Sequence, residues 1–219
     1  MTFYHKKIRE CDERIEKCLK GFDGQTMKEP CGNSKKPKKS SRYVRKNQCH
    51  VDLRTELYRI TGVDFTEIDG LDVLSVNTIL SEVGLKPEAF PTVKHFTSWL
   101  GLCPNNRITG GKIKSSRTKR VFNRAATAFR IAAQSLANSK SALGGFYRRI
   151  RARLGAPKAI TATAHKLARI FYVLWKTKQT YADIGAEYYE QQYTERVIRN
   201  LKRKAQELGY TLLLQEAQG

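Results

Sequence analysis

The sequence predicts an all-α fold, mainly α-helical, and two observations support that prediction. Apolar residues recur every three to four positions through most of the 219-residue chain, which is the period of an amphipathic helix. Glycine and proline interrupt this pattern between the periodic segments, where they mark helix ends and turns. A hydrophobic content of 40% is enough for one packed core, so the chain can form one ordinary domain plus an extension.

Residues 1–23 have the pattern of a coiled-coil linker helix. Their apolar residues are spaced by three and four positions, close to a heptad seam, and charged residues fill most positions between them. A helix of about three heptads is marginal alone, because helix nucleation is costly. The pattern therefore predicts a homo-oligomer joined through this helix; the alternative is a helix folded back on its own domain. The predicted seam consists of Met1, Tyr4, Ile8, Cys11, Ile15, Cys18 and Phe22.

Residues 24–50 are predicted to form a disordered basic linker. The segment is rich in glycine, proline, serine and lysine, and its stretch "SKKPKKSSRYVRK" has seven basic residues and no acidic one. Such a linker is either a solvated tether or a segment that contacts phosphates.

Residues 51–180 are predicted to form the main helical domain, which begins with a helix-hairpin-helix-like element. A short helix in "DLRTELYRITG" is followed by a glycine turn and by a second helix that ends at Gly84. A helix-hairpin-helix presents backbone N–H groups to a DNA phosphate. Asp72 stands where a second turn glycine is usual, so ordinary helix packing is an equal alternative.

The rest of the domain is predicted to contain four more helices and one loop. The first ends near Gly101, and a loop or hairpin follows at Gly110-Gly111. A helix over Val121–Leu136 is predicted to bury one face, and "GFYRRIRARL" and the segment opening at Gly155 continue the helical pattern. Residues 181–219 are predicted to be a carboxyl-terminal helix and tail, with Tyr188, Tyr189 and Tyr193 as packing residues. The buried face of the helix over Val121–Leu136 is predicted to consist of Phe122, Ala125, Ala126, Phe129, Ala132, Ala133 and Leu136.

The charge of the chain predicts a polyanionic partner. Lysine and arginine outnumber aspartate and glutamate by 41 to 20, which gives a net charge of +21. Nucleic acid is the partner expected first, and a ribosome-associated basic protein is the least favoured alternative. The sequence has neither a long apolar run nor the pattern of a signal peptide, so a cytoplasmic protein without a membrane partner is predicted.

The basic residues are concentrated in a segment that lacks acidic residues. Between Glu88 and Asp183, 94 residues contain no aspartate or glutamate and include 19 lysines or arginines. Metal-assisted phosphoryl transfer needs several carboxylates that converge on the ions. The segment is therefore predicted to bind phosphates but to hold no metal cofactor.

The loop in "ITGGKIKSSRTKRVFNRAATAFR" is the candidate site. Thr109 carries a hydroxyl beside two glycines, where backbone can approach a phosphodiester, and cations surround it. This pattern fits attack by the hydroxyl on the phosphorus of a phosphodiester. The alternative is a surface loop without chemical function, because many such loops are also rich in glycine, serine and lysine. Ser115 and Ser116 are the next candidate nucleophiles. The predicted nucleic-acid-binding residues are Lys112, Lys114, Arg117, Lys119, Arg120, Asn123, Arg124 and Arg130.

Several stretches in order resemble the carboxyl-terminal half of insertion-sequence-110-type transposases, grouped with relatives 116 and 902. They are "FPTVKHFTSWLGLCPNNRITGGK", "SSRTKRVFNRAATAFRIAAQSL", "ALGGFYRRIRARLGAPKAITATAHKLARIFYVL" and "YYEQQYTERVIRNLKRKAQELGY". The resemblance covers roughly residues 51–210. It implies a DNA recombinase of a mobile element that works through a covalent protein–DNA intermediate.

The resemblance also implies further parts, which this chain is expected to lack. Family members join a RuvC-like domain, whose acidic residues hold Mg²⁺, through a coiled coil to a helical domain with a nucleophilic serine, and a noncoding guide RNA can direct them. The chain is accordingly expected to be truncated, nucleoid-associated and inactive alone. Thr109 occupies the serine position, and its extra methyl group stiffens χ1. The alternative is a non-catalytic remnant that binds nucleic acid or associates with intact transposase.

Overall fold

A computed structural model describes residues 3–22 and 51–213, and this part of the chain is mainly helical, as predicted. One two-stranded hairpin interrupts the helices. The predicted linker, residues 24–50, therefore lies entirely outside the described residues. The elements are α1 (Phe3–Lys20), α2 (Leu53–Thr61), α3 (Val73–Val83), α4 (Val93–Trp99), β1 (Arg107–Thr109), β2 (Lys112–Ser115), α5 (Arg124–Ser135), α6 (Ala142–Leu154), α7 (Ala156–Thr177) and α8 (Ala186–Glu207).

Local capping explains where most of the domain helices begin. A side-chain oxygen immediately before each of five helices accepts a backbone N–H from the first turn, which satisfies a donor that otherwise has no partner. Aspartate starts two of these helices, and threonine, asparagine and serine start the others. The capping residues are Asp52 for α2, Asp72 for α3, Thr92 for α4, Asn123 for α5 and Ser141 for α6.

Helix α7 is the centre of the core. It packs against α4, α5 and α6, and α3 packs on the far side of α5. Phe171 of α7 stacks on Phe65 with ring centroids 4.1 Å apart, and its ring also meets those of Phe96, Phe129 and Trp175. All five rings are fully buried, so this aromatic cluster joins residues that are distant in sequence.

The turn before α3 faces the core. Gly70 has a φ of +87°, and a Cβ built there would lie 2.7 Å from the carbonyl oxygen of Ala132 on α5. The Asp72 carboxylate occupies the amino-terminal end of α3 and accepts the N–H of Ser75 at 2.8 Å. Ordinary helix packing, the alternative to a phosphate-binding helix-hairpin-helix, accounts for both contacts.

Near its carboxyl-terminal end, helix α1 contacts the domain through hydrogen bonds and apolar packing. Arg59 of α2 donates to the carbonyl oxygens of Leu19 and Phe22 at 2.9 and 3.0 Å, and Leu19 packs against the core. The predicted seam is nevertheless exposed, because Ile8 and Ile15 keep 42% and 40% of their surface accessible. An apolar stripe is therefore left uncovered on α1.

Charge placed in this stripe is expected to reduce self-association. In a coiled coil, replacing Ile8 and Ile15 with lysine would bury two ammonium groups without partners. The sedimentation mass of the double variant is expected to fall to that of one chain, while the wild type remains larger. Exchanging Lys6 and Lys17 for glutamine is the control, because neither residue lies on the stripe. A wild-type monomer at high micromolar concentration would contradict the coiled-coil prediction.

Helix α8 is attached to the domain mainly through α6, and none of its residues is buried. The guanidinium of Arg149 on α6 lies over the rings of Tyr189 and Tyr193, 4.7 and 3.8 Å from their centroids, and it donates to the Tyr189 hydroxyl. Tyr188, by contrast, is half exposed. Of the three predicted packing tyrosines, Tyr189 and Tyr193 thus make their main contacts with an arginine. No helix in the described ranges is both long and apolar enough to cross a bilayer.

Candidate nucleic-acid interface

A β-hairpin carries the candidate nucleophile at its tip. Thr109 ends β1 and is paired with Lys112 of β2, and Ile108 is paired with Ile113. The pairing continues toward the base of the hairpin, where Pro104 bridges Thr118. The hairpin therefore projects the hydroxyl away from the helical core.

The two glycines form the turn of this hairpin. Gly110 and Gly111 have φ values of +55° and +73°, and two consecutive positive values define the type I′ turn that suits a two-residue hairpin loop. A Cβ built on either glycine would meet no atom within 4 Å. The glycines are explained by the turn conformation, and the open space around them leaves the backbone accessible to a ligand.

The Thr109 hydroxyl is free and exposed. The side chain makes no hydrogen bond with any described residue, so it neither caps a helix nor supports the hairpin. The Ser115 hydroxyl, in contrast, accepts the N–H of Arg117 at 3.4 Å. Two histidines of the domain, His95 and His165, could act as a base, but neither is hydrogen-bonded to the Thr109 hydroxyl. His95 contacts the Thr92 hydroxyl at 2.8 Å, and burial, followed by the nearby Arg169 charge, lowers the pKa of His165.

Five predicted phosphate-binding cations lie on the hairpin and on the segment that follows it. All five are exposed, and within the described part of the chain none of them forms an ion pair. Exposed cations without acidic neighbours attract phosphate without first breaking an ion pair. These residues, named the hairpin cations here, are Lys112, Lys114, Arg117, Lys119 and Arg120.

The three predicted residues on α5 have other surroundings. Asn123 is buried, and its side-chain oxygen accepts the N–H of Ala126 at 3.1 Å, so it acts as the cap of α5. Arg124 is exposed but is paired with Glu82 of α3 at 3.0 Å. Arg130 is half-buried on the same helix. The side-chain oxygen of Asn123 is thus used within the protein, as the cap of α5.

Helix α5 begins later than the sequence predicted, and this changes the position of Phe122. The helix starts at Arg124 rather than at Val121. Val121 packs near Gly101, where a built Cβ would lie 2.7 Å from the Val121 side chain, whereas Phe122 is fully exposed at 106% of its reference area. The prediction that Phe122 lies on the buried helical face is wrong. Phe122 lies three and four positions before Ala125 and Ala126, as a residue on the same helical face would. The spacing therefore did not indicate that the backbone is extended at the Asn123 cap.

This hairpin lies within a recognisable sequence segment. Residues 64–148 match the Transposase IS116/IS110/IS902 family. No curated protein and no solved structure was found to match the chain. The transposase-family segment begins just after α2, contains α3, α4, the hairpin and α5, and ends within α6. The resemblance predicted from the sequence is thus confirmed over this segment, and a transposase-related function is supported.

Two further cations, Arg149 and Lys166, lie outside the transposase-family segment. Both contact the ring of Phe146, which lies within that segment. The Lys166 ammonium of α7 lies 4.6 Å from the Phe146 centroid and 4.8 Å from that of Tyr189. Burial lowers the pKa of Lys166, and the neighbouring Arg149 charge lowers it further. These contacts hold α8 against the domain.

Proposed function

We propose that this chain is the DNA-binding and recombination part of an insertion-sequence transposase, with the Thr109 hydroxyl as its nucleophile. The observation that supports this proposal is the free hydroxyl at the tip of a hairpin that carries exposed, unpaired cations. The match to the transposase family supports the reaction class. DNA is the expected polyanion because its phosphodiester is the group that such a hydroxyl would attack.

The proposed reaction is strand transfer through a covalent intermediate. Thr109 Oγ attacks the phosphorus of a DNA phosphodiester, an Oγ–P bond forms, and the bond to the leaving sugar oxygen breaks. The hydroxyl proton passes to solvent, and the leaving oxygen takes up a proton. The hairpin cations counter the negative charge that grows on the phosphate oxygens. A DNA hydroxyl then attacks the threonine phosphodiester, which restores Thr109 and joins the new strand.

The residues that the structure describes do not fit the Mg²⁺ that the resemblance implies. Residues 89–182 contain no carboxylate, and the described residues bring together no group of three or more histidine, cysteine, aspartate or glutamate side chains. No step of the proposed reaction at the hairpin is therefore assigned to a metal. The metal and the guide RNA are proposed to belong to partner components.

A non-catalytic binding module is the second candidate function. One observation favours it: in the described structure, no base is hydrogen-bonded to the Thr109 hydroxyl. A threonine without a base or a metal is a weak nucleophile. Both candidates require DNA binding, and they differ in whether a covalent adduct forms.

DNA binding is expected to depend strongly on salt. Each neutralised phosphate of duplex DNA contributes a slope of about −0.9 to the plot of log K against log salt. With six or more contacts, affinity is expected to fall by about a thousandfold between about 50 and 200 mM salt. Fluorescence anisotropy with a labelled duplex measures this slope. A slope near zero would reject the proposed interface.

The contribution of the hairpin is tested with charge-matched variants. Replacing Lys112, Lys114 and Arg117 with glutamine is expected to reduce the magnitude of the slope by about 2.7, because three phosphate contacts are lost. The control replaces three exposed α8 cations, Arg199, Lys202 and Lys204, with glutamine, which changes the net charge equally. Equal losses in the two variants would mean that only total charge matters and that the hairpin is not the interface.

A further inference from the structure

We propose that Phe122 stacks on an unpaired nucleobase, so that the preferred substrate is DNA with locally separated strands. This inference rests on the proposed DNA binding and adds a substrate class to it. Its starting observation is that Phe122 is fully exposed at 106% of its reference area, although phenylalanine is among the residues most often buried.

The backbone on both sides of Phe122 is anchored, which keeps the ring directed outward. Val121 packs near Gly101, and Asn123 is buried as the cap of α5. Asn123 has an extended backbone with a φ of −140°. The Asn123 side chain is buried, and side chains alternate along an extended segment, so the residue before it faces the opposite side. The exposure of Phe122 therefore follows from the buried cap beside it.

Helix α5 offers Phe122 no apolar side chain at the position against which a residue before a helix cap usually packs. An apolar residue that precedes a helix cap often packs against the fourth helical residue, an arrangement called the hydrophobic staple. In α5 that fourth residue is Thr127, which is exposed and whose hydroxyl donates to the Asn123 carbonyl oxygen at 3.2 Å. The Phe122 ring thus has no intramolecular role in the described structure, and both faces are free.

The charges around Phe122 favour a nucleobase as its partner. Lys119 and Arg120 lie three and two positions before Phe122, and the segment from Lys112 to Arg120 contains no acidic residue. Proteins that bind single strands combine cations along the backbone with aromatic side chains on which bases stack. Stacking is tolerant of sequence because every base has a π face. A base thus suits both the free ring faces and the positive surroundings.

Phe122 lies near the base of the hairpin, away from the tip. Thr109 is five residues along the chain from Pro104 of the Pro104–Thr118 bridge, and a segment of that length spans at most about 17 Å at about 3.3 Å per residue. Duplex DNA rises about 3.4 Å per base along one strand, so this length corresponds to about five steps. The separated bases would then lie several steps from the attacked phosphodiester, and the ring would hold the DNA without touching the reacting atoms.

The test compares two labelled DNA duplexes of about 30 base pairs, one fully matched and one with a short central stretch of mismatches. With the full chain, the mismatched duplex is expected to bind about fivefold to a hundredfold more tightly than the matched one. This range is the gain in affinity that stacking of one base on an aromatic ring gives. Phe122→Ala is expected to lose this preference while keeping its affinity for the matched duplex within about twofold. Phe122→Trp is expected to retain the preference. Ile131→Ala, which removes another exposed apolar side chain on α5, is the control and is expected to behave as wild type.

Each result separates this inference from the proposed function. If the wild type binds neither duplex in a salt-dependent manner, the proposed DNA binding fails. If it binds both duplexes equally, or if Phe122→Ala keeps the preference, DNA binding stands and the stacking inference is overturned. A change in sedimentation mass on Phe122→Ala with no change in duplex preference would assign the ring to a protein contact and would also overturn it.

Discussion

Thr109→Ala is expected to abolish formation of a covalent protein–DNA adduct. The assay would supply the full chain with a Mg²⁺-binding RuvC-like partner domain, guide RNA and transposon-end DNA, because the resemblance implies these components. Wild type and Thr109→Ser are expected to give a shifted band on a denaturing gel, with more adduct from serine, whose χ1 is less restricted. DNA affinity of Thr109→Ala should remain within about threefold, since the hydroxyl contributes a nucleophile and little contact energy.

Two serines on the same hairpin serve as controls. Ser115→Ala and Ser116→Ala are expected to keep adduct formation, because the Ser115 hydroxyl is engaged with the Arg117 N–H and neither residue is at the tip. An adduct that persists in Thr109→Ala and disappears in one of these variants would move the nucleophile to that serine. If wild type and Thr109→Ser give no adduct while both bind DNA, the non-catalytic binding module is the better description. If Thr109→Ala unfolds, the hydroxyl must stabilise the domain, which would contradict its lack of a hydrogen bond with any described residue.

Phe171→Ala is expected to produce the largest loss of stability. Its ring is fully buried and meets four other buried rings, so truncation removes apolar contacts and leaves a cavity at the centre of the core. Comparable phenylalanine truncations reduce the free energy of unfolding by about 3–5 kcal/mol. At this chain length the melting temperature is expected to fall by on the order of 10 °C.

The same substitution at an exposed phenylalanine provides the control for Phe171. Phe122→Ala removes an equal number of atoms from a side chain that contacts nothing, so the melting temperature is expected to change by about 1 °C or less. Calorimetry or circular dichroism measures both changes. Equal melting temperatures for Phe171→Ala and wild type would contradict the packing of α7 at the centre of the domain.

The order and approximate limits of the helices could be predicted from the sequence. Helical periodicity and capping depend on residues only a few positions apart, so α2 before Gly62 and α3 before Gly84 are visible as local patterns. The hairpin was one of two predicted forms for the Gly110-Gly111 segment, because paired glycines permit consecutive positive φ values.

The start of α5 shows why local patterns are not sufficient. Val121 and Phe122 continue the apolar spacing of that helix, yet Val121 packs near Gly101 and the Asn123 cap ends the extended segment. The partner of Val121 is 20 positions away, and no short-range period contains that information. Likewise, Gly70 has the signature of a turn glycine, but only its contact with α5 shows that the turn faces the core.

The sequence by itself determined the helical class, the segment without acidic residues and the position of a hydroxyl beside two glycines, because composition and local spacing specify each of these. Tertiary structure decided which of these groups are available to a ligand. It leaves Thr109, the hairpin cations and Phe122 exposed, whereas Asn123 is buried as a cap and Arg149 is held against α8. The physical reason is that exposure depends on which distant elements pack together, and a hydrophobic period identifies an apolar face without identifying what covers it.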